Sequence, residues 1–267
     1  MLRSKTEVRS VARKVLRILP KPMAELLRSA KRWVLNQRSC QTVFRQIARN
    51  NTWDGTESVS GPGSTMEATS LLRAALPDLL EKYEIRSFLD IPCGDAYWIS
   101  QALPAGIEYV GADIVSGLIE RNRAEKGDFG QFKVLDLVNS ELPTCDLVMV
   151  RDCLIHLPNK AVIQALQNIR RSGARYLLTT TYPDWAQNID IEFGGFRPVD
   201  LEKAPFCLPQ PLVMILETEH SQSGKTMCLW TVADLPECFL PTSAGRRSVM
   251  RHDSKGQVLL TGPPVFA

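Results

Sequence analysis

The chain has 267 residues and a mass of 29.9 kDa, a length that allows one large domain or two small ones. With 44% hydrophobic and 23% charged residues, a mean hydropathy of -0.11 and no long apolar run, it is neither a polytopic membrane protein nor a wholly disordered chain. The net charge of +3 conceals an asymmetry: residues 1–50 hold 13 Lys/Arg against 2 Asp/Glu, and the remaining 217 hold 19 against 27. A basic arm on a mildly acidic body is unlike a protein that wraps nucleic acid over its whole surface.

Seven scattered cysteines form no C-x-x-C, no zinc-ligand spacing and no disulfide framework. Several lie within apolar runs and read as small hydrophobes, and the set suits a reducing compartment, so a cytoplasmic protein is expected, with no metal. Charges interrupt every apolar run before residue 40, which does not suit a secretory signal.

In chain order, residues 8–19 place Val8, Val11, Val15, Leu16 and Leu19 at helical spacing, with Arg9, Arg13 and Arg17 on another face. Pro20 and Pro22 stop that basic amphipathic helix. A second helical pattern runs from about Met23 to Arg49 with a break near Ser39-Cys40, after which Val43, Phe44 and Ile47 form a stripe that packs on the body. The arm has three readings: a solvated extension, a segment that contacts an anionic membrane surface weakly, or an organelle presequence. Residues 50–63 (NNTWDGTESVSGPG) are loop. Ser64 or Thr65 looks like an N-cap for a helix to about Lys82.

An alternation follows. Strands are expected at Ser87–Ile91, Glu108–Ile114, Gln131–Leu137, Asp146–Val150 and Arg175–Thr181, with helices at Tyr97–Leu103, Ser116–Lys126 and Asn159–Ser172. That order predicts a doubly wound, mostly parallel α/β sheet. Leu212–Glu219 and Met227–Leu235, joined by a short polar link, predict an antiparallel hairpin at its end. The domain organisation is therefore an arm over 1–49, a Rossmann-like body over 50–240 and a tail over 241–267.

Ligands of such sheets bind outside the C-terminal strand ends, at the switch point beside the first strand. There the chain reads Asp90-Ile-Pro-Cys-Gly-Asp95, and Asp113 follows at the end of the second strand, where a carboxylate can accept from a ribose diol. Asp136 follows the third strand and Asp152 the fourth. The loop has one glycine and an added carboxylate instead of G-x-G-x-x-G, so it would repel a pyrophosphate and suit a cationic ligand. That disfavours a nicotinamide oxidoreductase.

Leu89-Asp-Ile-Pro-Cys-Gly-Asp95 resembles motif I of the class I S-adenosylmethionine-dependent methyltransferases. Tyr109-Val-Gly-Ala-Asp-Ile114 is similar to that family's ribose-binding strand end, and Phe132-Lys-Val-Leu-Asp-Leu137 to the segment that meets the adenine. Cys145 to Leu157 is similar to its motif IV and the turn after it. More narrowly, Trp53 to Thr65, Ile91 to Trp98, Arg151 to Leu157 and Pro205 to Pro209 together resemble a poorly characterised subgroup of the superfamily. The likeness runs from about residue 41 to 235; Asp95-Ala96 stands where the motif I loop usually has its final glycine.

The resemblance implies a seven-stranded Rossmann-like methyltransferase with S-adenosylmethionine as cofactor. It implies Asp90, Pro92, Cys93, Gly94, Asp95, Asp113, Ile114, Asp136, Leu137 and Arg151 around that cofactor. Arg151 also reads as a plain salt bridge. Asp152 and His156 would face the transferring methyl, with His156 as a general base or Asp152 taking the proton itself; His156 also reads as a helix-start histidine that bonds backbone. The glycine-serine loop from Trp53 through Glu57, Ser58 and Gly61 to Ser64 would close over cofactor or acceptor. The long segment 182–211, with Asn188, Asp190 and Arg197, reads either as an acceptor site or as a cover over the sheet. The acceptor expected is a sugar hydroxyl (a glycan included) or another small metabolite. A non-catalytic binding or scaffold protein that keeps the fold is the alternative.

Overall fold

A computed structural model describes residues 39–217 and 224–237. The expected helix at 8–19, most of the pattern from Met23, the first part of the hairpin link and the tail, with His220, Cys238 and His252, lie outside them.

Helix α1 (Cys40–Arg49) opens the described chain, capped by the Ser39 hydroxyl, which accepts from the Thr42 N–H at 3.3 Å. The break expected at Ser39-Cys40 is this cap. Helix α2 spans Ser70–Lys82. It starts later than the sequence suggests, because Pro62–Ser64 forms a separate 3-10 turn and Thr65 caps only a local bend, accepting from Ala68 N–H at 3.1 Å. Then come β1 (Ser87–Asp90), β2 (Glu108–Asp113), α3 (Ser116–Lys126), β3 (Gln131–Val134), β4 (Leu147–Val150), α4 (Asn159–Arg171), β5 (Tyr176–Thr181), β6 (Val213–Leu216) and β7 (Thr226–Thr231).

Several expected elements are shorter, the last two strands among them, which span Val213–Leu216 and Thr226–Thr231. The helix at Tyr97–Leu103 is a single 3-10 turn, Ile99–Gln101, confined between Ala96 at φ +48° and Pro104. The third strand ends at Val134 and not at Leu137, since Asp136 folds its carboxylate back onto the Val138 N–H at 2.8 Å and turns the chain.

The seven strands form one sheet in the order β3-β2-β1-β4-β5-β7-β6. β1 to β5 pair in parallel, and β7 is antiparallel to both β5 and β6. The doubly wound sheet with a C-terminal antiparallel hairpin is thus as the sequence predicts. Alternation along the strands supplies two apolar layers. Leu89, Val148, Val150 and Leu177 meet α4, which buries Ala161, Val162, Ala165, Leu166 and Ile169. Phe88, Leu147, Met149 and Leu178 meet α2 and α3 through Leu72, Leu76, Leu80 and Ile119. Each layer buries large side chains completely, and at ~25 cal/mol per Å² this burial dominates the stability. The winding reverses between β1 and β4, which opens a crevice at their C-terminal ends.

Candidate active site

A cleft sits at that reversal, with about 1030 Å³ of empty space counted to its open mouth. Asp90, Pro92, Cys93, Gly94, Asp113, Ile114, Asp136, Leu137, Arg151 and Asp152 all line it. The sequence places these residues at the ends of β1 to β4, and the parallel sheet brings the four ends together. Asp95 and His156 do not line it.

The loop after β1 is built on a left-handed turn. Gly94 has φ +55°, and a Cβ there would meet the Ser60 hydroxyl at 2.0 Å, so only glycine fits. Ala96 also adopts positive φ, where glycine would be at ease. The Gly94 carbonyl accepts from Asn122 of α3 at 2.8 Å, and its N–H donates to Asp113 at 3.2 Å. The other Asp113 oxygen accepts from Val115 N–H at 2.8 Å. Burial pushes the Asp113 carboxyl up to about 6, against the pull of these amides. Asp90 is more isolated: burial raises it to about 7, although the Tyr109 hydroxyl donates to it at 2.9 Å. Asp136 is held by Val138 N–H and by Asn139, whose amide donates at 2.8 Å.

At the end of β4 the charges are paired. Arg151 is buried, its Nε 2.6 Å from Glu217, its guanidinium 3.3 Å from Asp152 and its Nη2 donating to the Gly63 carbonyl at 2.7 Å. Lys225 lies 2.6 Å from Asp152 and 2.8 Å from Glu217. Burial would raise the Asp152 carboxyl, but Arg151 and Lys225 outweigh it and hold the group below the ordinary carboxylate range. Asp152 also sits at φ +50°. Arg151 therefore forms the salt bridge that was one of its two readings, while still presenting an edge to the cleft. Glu217 and Lys225 were not legible in advance, because they come from just after β6 and just before β7, far along the chain.

Of the two readings of His156, the structure shows the one that bonds backbone. Its ring stacks on Trp53 at 4.9 Å and 24°, so the indole stands between it and the cleft that Trp53 lines. Its Nδ1 donates to the Gly195 carbonyl at 2.6 Å, and burial lowers its pKa, so the ring is neutral at physiological pH. Asp95 also turns from the cleft. Its carboxylate accepts from the Ser58 hydroxyl at 2.8 Å and the Val59 N–H at 3.0 Å, pinning the glycine-serine loop to the β1 turn.

That loop does cover the site. Trp53, Val59, Ser60 and Ser64 line the cleft, and a Cβ on Gly63 would come within 2.9 Å of Asp152. Asn188, Asp190 and Arg197 of the long segment do not reach it. Asp190 accepts from the Asn159 N–H at 2.7 Å and caps α4. Arg197 is wholly buried, donating to the carbonyls of Ile189 and Leu154 and to Asn159, and burial pushes its pKa down to about 10. The segment's second reading, a cover tied to the turn after β4, describes these contacts. The thiols of Cys40, Cys93 and Cys153 face the cleft but burial raises all three pKa values, Cys40 to about 12, so they stay protonated and unreactive.

The donor set fits S-adenosylmethionine: carboxylates for a sulfonium, an ammonium and a ribose diol, and apolar Ile114, Leu137 and Val138 for a purine.

Residues 89–174, about a third of the chain, match the family model described as a methyltransferase domain. Among solved structures, the magnesium protoporphyrin IX methyltransferase of Synechocystis with bound S-adenosylmethionine is similar at a TM-score of 0.51 and 13% identity, over 72% of this chain and 96% of that one. The same protein with bound S-adenosylhomocysteine gives 0.50 and 13% over 72% and 98%. A S-adenosylmethionine-dependent methyltransferase from Clostridium acetobutylicum gives 0.48 and 9% over 61% and 91%. No curated protein matches the chain in sequence.

Sheet order, cleft and structural likeness define a methyltransferase fold of the Rossmann-like kind. With residues 89–174 matching a methyltransferase domain, the chain carries such a domain on this fold, and the similar Synechocystis structures hold S-adenosylmethionine or S-adenosylhomocysteine.

Proposed function

We propose that this chain transfers the methyl group of S-adenosylmethionine to a small-molecule acceptor bound beside the end of β4. The observation that carries this reading is the series Asp90, Asp113, Asp136 and Asp152, one carboxylate at or just beyond each of four adjacent strand ends, around one cleft. The bound cofactor supplies a sulfonium methyl that an acceptor lone pair displaces in line, the C–S electron pair leaving with a sulfur that becomes a neutral thioether.

Every other part of the work falls to the protein. Asp113 receives the ribose hydroxyls, already oriented by the Gly94 and Val115 amides. Asp136, Ile114 and Leu137 hold the purine. Asp90 faces the ammonium, and Gly94, with Pro92 and Cys93, lets the backbone approach the methionine part. The glycine-serine loop, pinned by Asp95 and Arg151, excludes water. Asp152, held as an anion by two cations, is a poor proton acceptor and pairs with Arg151 and Lys225 at the end of β4. His156 acts through Trp53, whose indole it supports. The acceptor is therefore a group that needs little help to lose a proton. A small metabolite agrees with these walls better than a sugar hydroxyl, which would need a base.

Titration calorimetry with S-adenosylhomocysteine tests the reading. The wild-type protein should bind it, and Asp113→Ala should weaken binding about tenfold to a hundredfold, the worth of a charge-assisted hydrogen-bond pair at ~1.5–3 kcal/mol. Equal affinity for both proteins would mean that the nucleoside lies elsewhere.

A further inference from the structure

Helix α1 carries an apolar stripe but buries none of its residues. Cys40, Phe44, Ile47 and Ala48 stand at helical spacing on one face, and all four line the cleft. The helix is fixed at both ends of that stripe. At one end Gln41 donates to the Ile114 carbonyl at 3.4 Å, over the nucleoside half. At the other, Ile47 and Val43 fit so closely under Gly194 that a Cβ there would meet each at 2.8 Å. Trp53 continues the stripe, its ring 6.4 Å from Phe44 and stacked on His156. Opposite lie Cys153 and Leu157, in the turn after Asp152.

Beyond the nucleoside site the walls of the cleft are mainly apolar, with the Ser60 and Ser64 hydroxyls on the side of the loop. The charged groups there are already spent: Asp152 on Lys225 and Arg151, and Arg151 on Glu217 and Gly63. A polyhydroxylated ring there would leave its hydroxyls facing Phe44, Ile47 and Trp53 without partners, whereas a hydrocarbon body would complete the burial that α1 lacks.

We infer that the acceptor is an apolar molecule carrying a single nucleophilic oxygen or nitrogen, its hydrocarbon part lying against Phe44, Ile47, Ala48 and Trp53 and its reactive atom directed toward the end of β4. This inference rests on the methyltransferase reading above and names the acceptor's chemical class within that site.

The test uses the full chain saturated with S-adenosylhomocysteine, titrated calorimetrically with 2-naphthol and, separately, with methyl α-glucopyranoside. Saturable heat with 2-naphthol and none with the glucoside is expected. Ile47→Asn should weaken 2-naphthol binding tenfold or more while the affinity for S-adenosylhomocysteine stays within twofold. Ala48→Leu, which fills this part of the cleft and keeps the helix, should do the same and serves where Ile47→Asn lowers stability. Silence with 2-naphthol in the saturated protein, binding of the glucoside instead, or unchanged 2-naphthol affinity in Ala48→Leu each overturns the inference. Failure of S-adenosylhomocysteine itself to bind is a separate result, and it removes the cofactor reading along with this one.

Discussion

Replacing Glu217 by leucine isolates the charge cluster that ties the far edge of the sheet to the cleft. Glu217 is 1% exposed and faces two cations, Arg151 at 2.6 Å and Lys225 at 2.8 Å. The leucine leaves Arg151, itself 4% exposed at the side chain, with Asp152 at 3.3 Å and the Gly63 carbonyl as its remaining partners. Removing one member of a buried ion pair costs ~3–5 kcal/mol, because the other charge stays desolvated. For a domain of this size, each kcal/mol lowers Tm by about 2–4 °C, so a fall of roughly 6–20 °C is expected. Removing both charges in Glu217→Leu/Arg151→Met should recover most of the loss, since Lys225 and Asp152 keep their own pair at 2.6 Å. Urea and thermal unfolding of the two variants against wild type provide the comparison. A single variant less than about 1 kcal/mol below wild type, or a double variant worse than the single, would refute the argument that burial makes this pair indispensable.

Two further outcomes follow from the site. Gly94→Ala puts a Cβ into a left-handed turn and onto the Ser60 hydroxyl, so a loss of ~1–3 kcal/mol and weaker binding of S-adenosylhomocysteine are expected; denaturation and calorimetry would expose a tolerated alanine, which would mean the loop can move away from Ser60. The raised carboxyls give a pH dependence with a definite sign. Asp90 and Asp113, raised by burial to about 7 and about 6, favour the protonated folded state, so their contribution to stability is present below the ordinary aspartate range and is lost as pH rises through those values. A cationic ligand favours the ionised form, so affinity for S-adenosylmethionine should increase between pH 5.5 and 8, with proton release on binding; a flat profile by calorimetry in two buffers would contradict Asp90 and Asp113 as its partners.

The architecture was legible because its signals are local. Runs such as Phe88-Leu-Asp90 and Leu147-Val-Met-Val150 are apolar on both faces, as strands covered on both sides must be, and α4 shows its buried stripe in the periodicity of Ala161, Val162, Ala165, Leu166 and Ile169. Parallel pairing then brings every strand's C-terminal end to one edge, so the acids after β1 to β4 could be placed around one crevice from their order alone. Boundaries were less legible. Asp136 ends β3 early by accepting from a backbone amide two residues on, and a strand pattern does not reveal where such a turn will win.

What the sequence by itself determined is the layered α/β body and the set of carboxylates at its switch point, since both depend on chemistry repeated along short stretches. The tertiary structure alone decided where side chains turn once distant segments meet. Glu217 and Lys225 reach Arg151 and Asp152 only through the antiparallel return of β6 and β7. Trp53, arriving from a loop a hundred residues earlier in the chain, takes the face of His156 and leaves the cleft with mainly apolar walls. Such contacts are fixed by packing between segments far apart in sequence, where each side chain's best partner depends on what the rest of the fold has already buried.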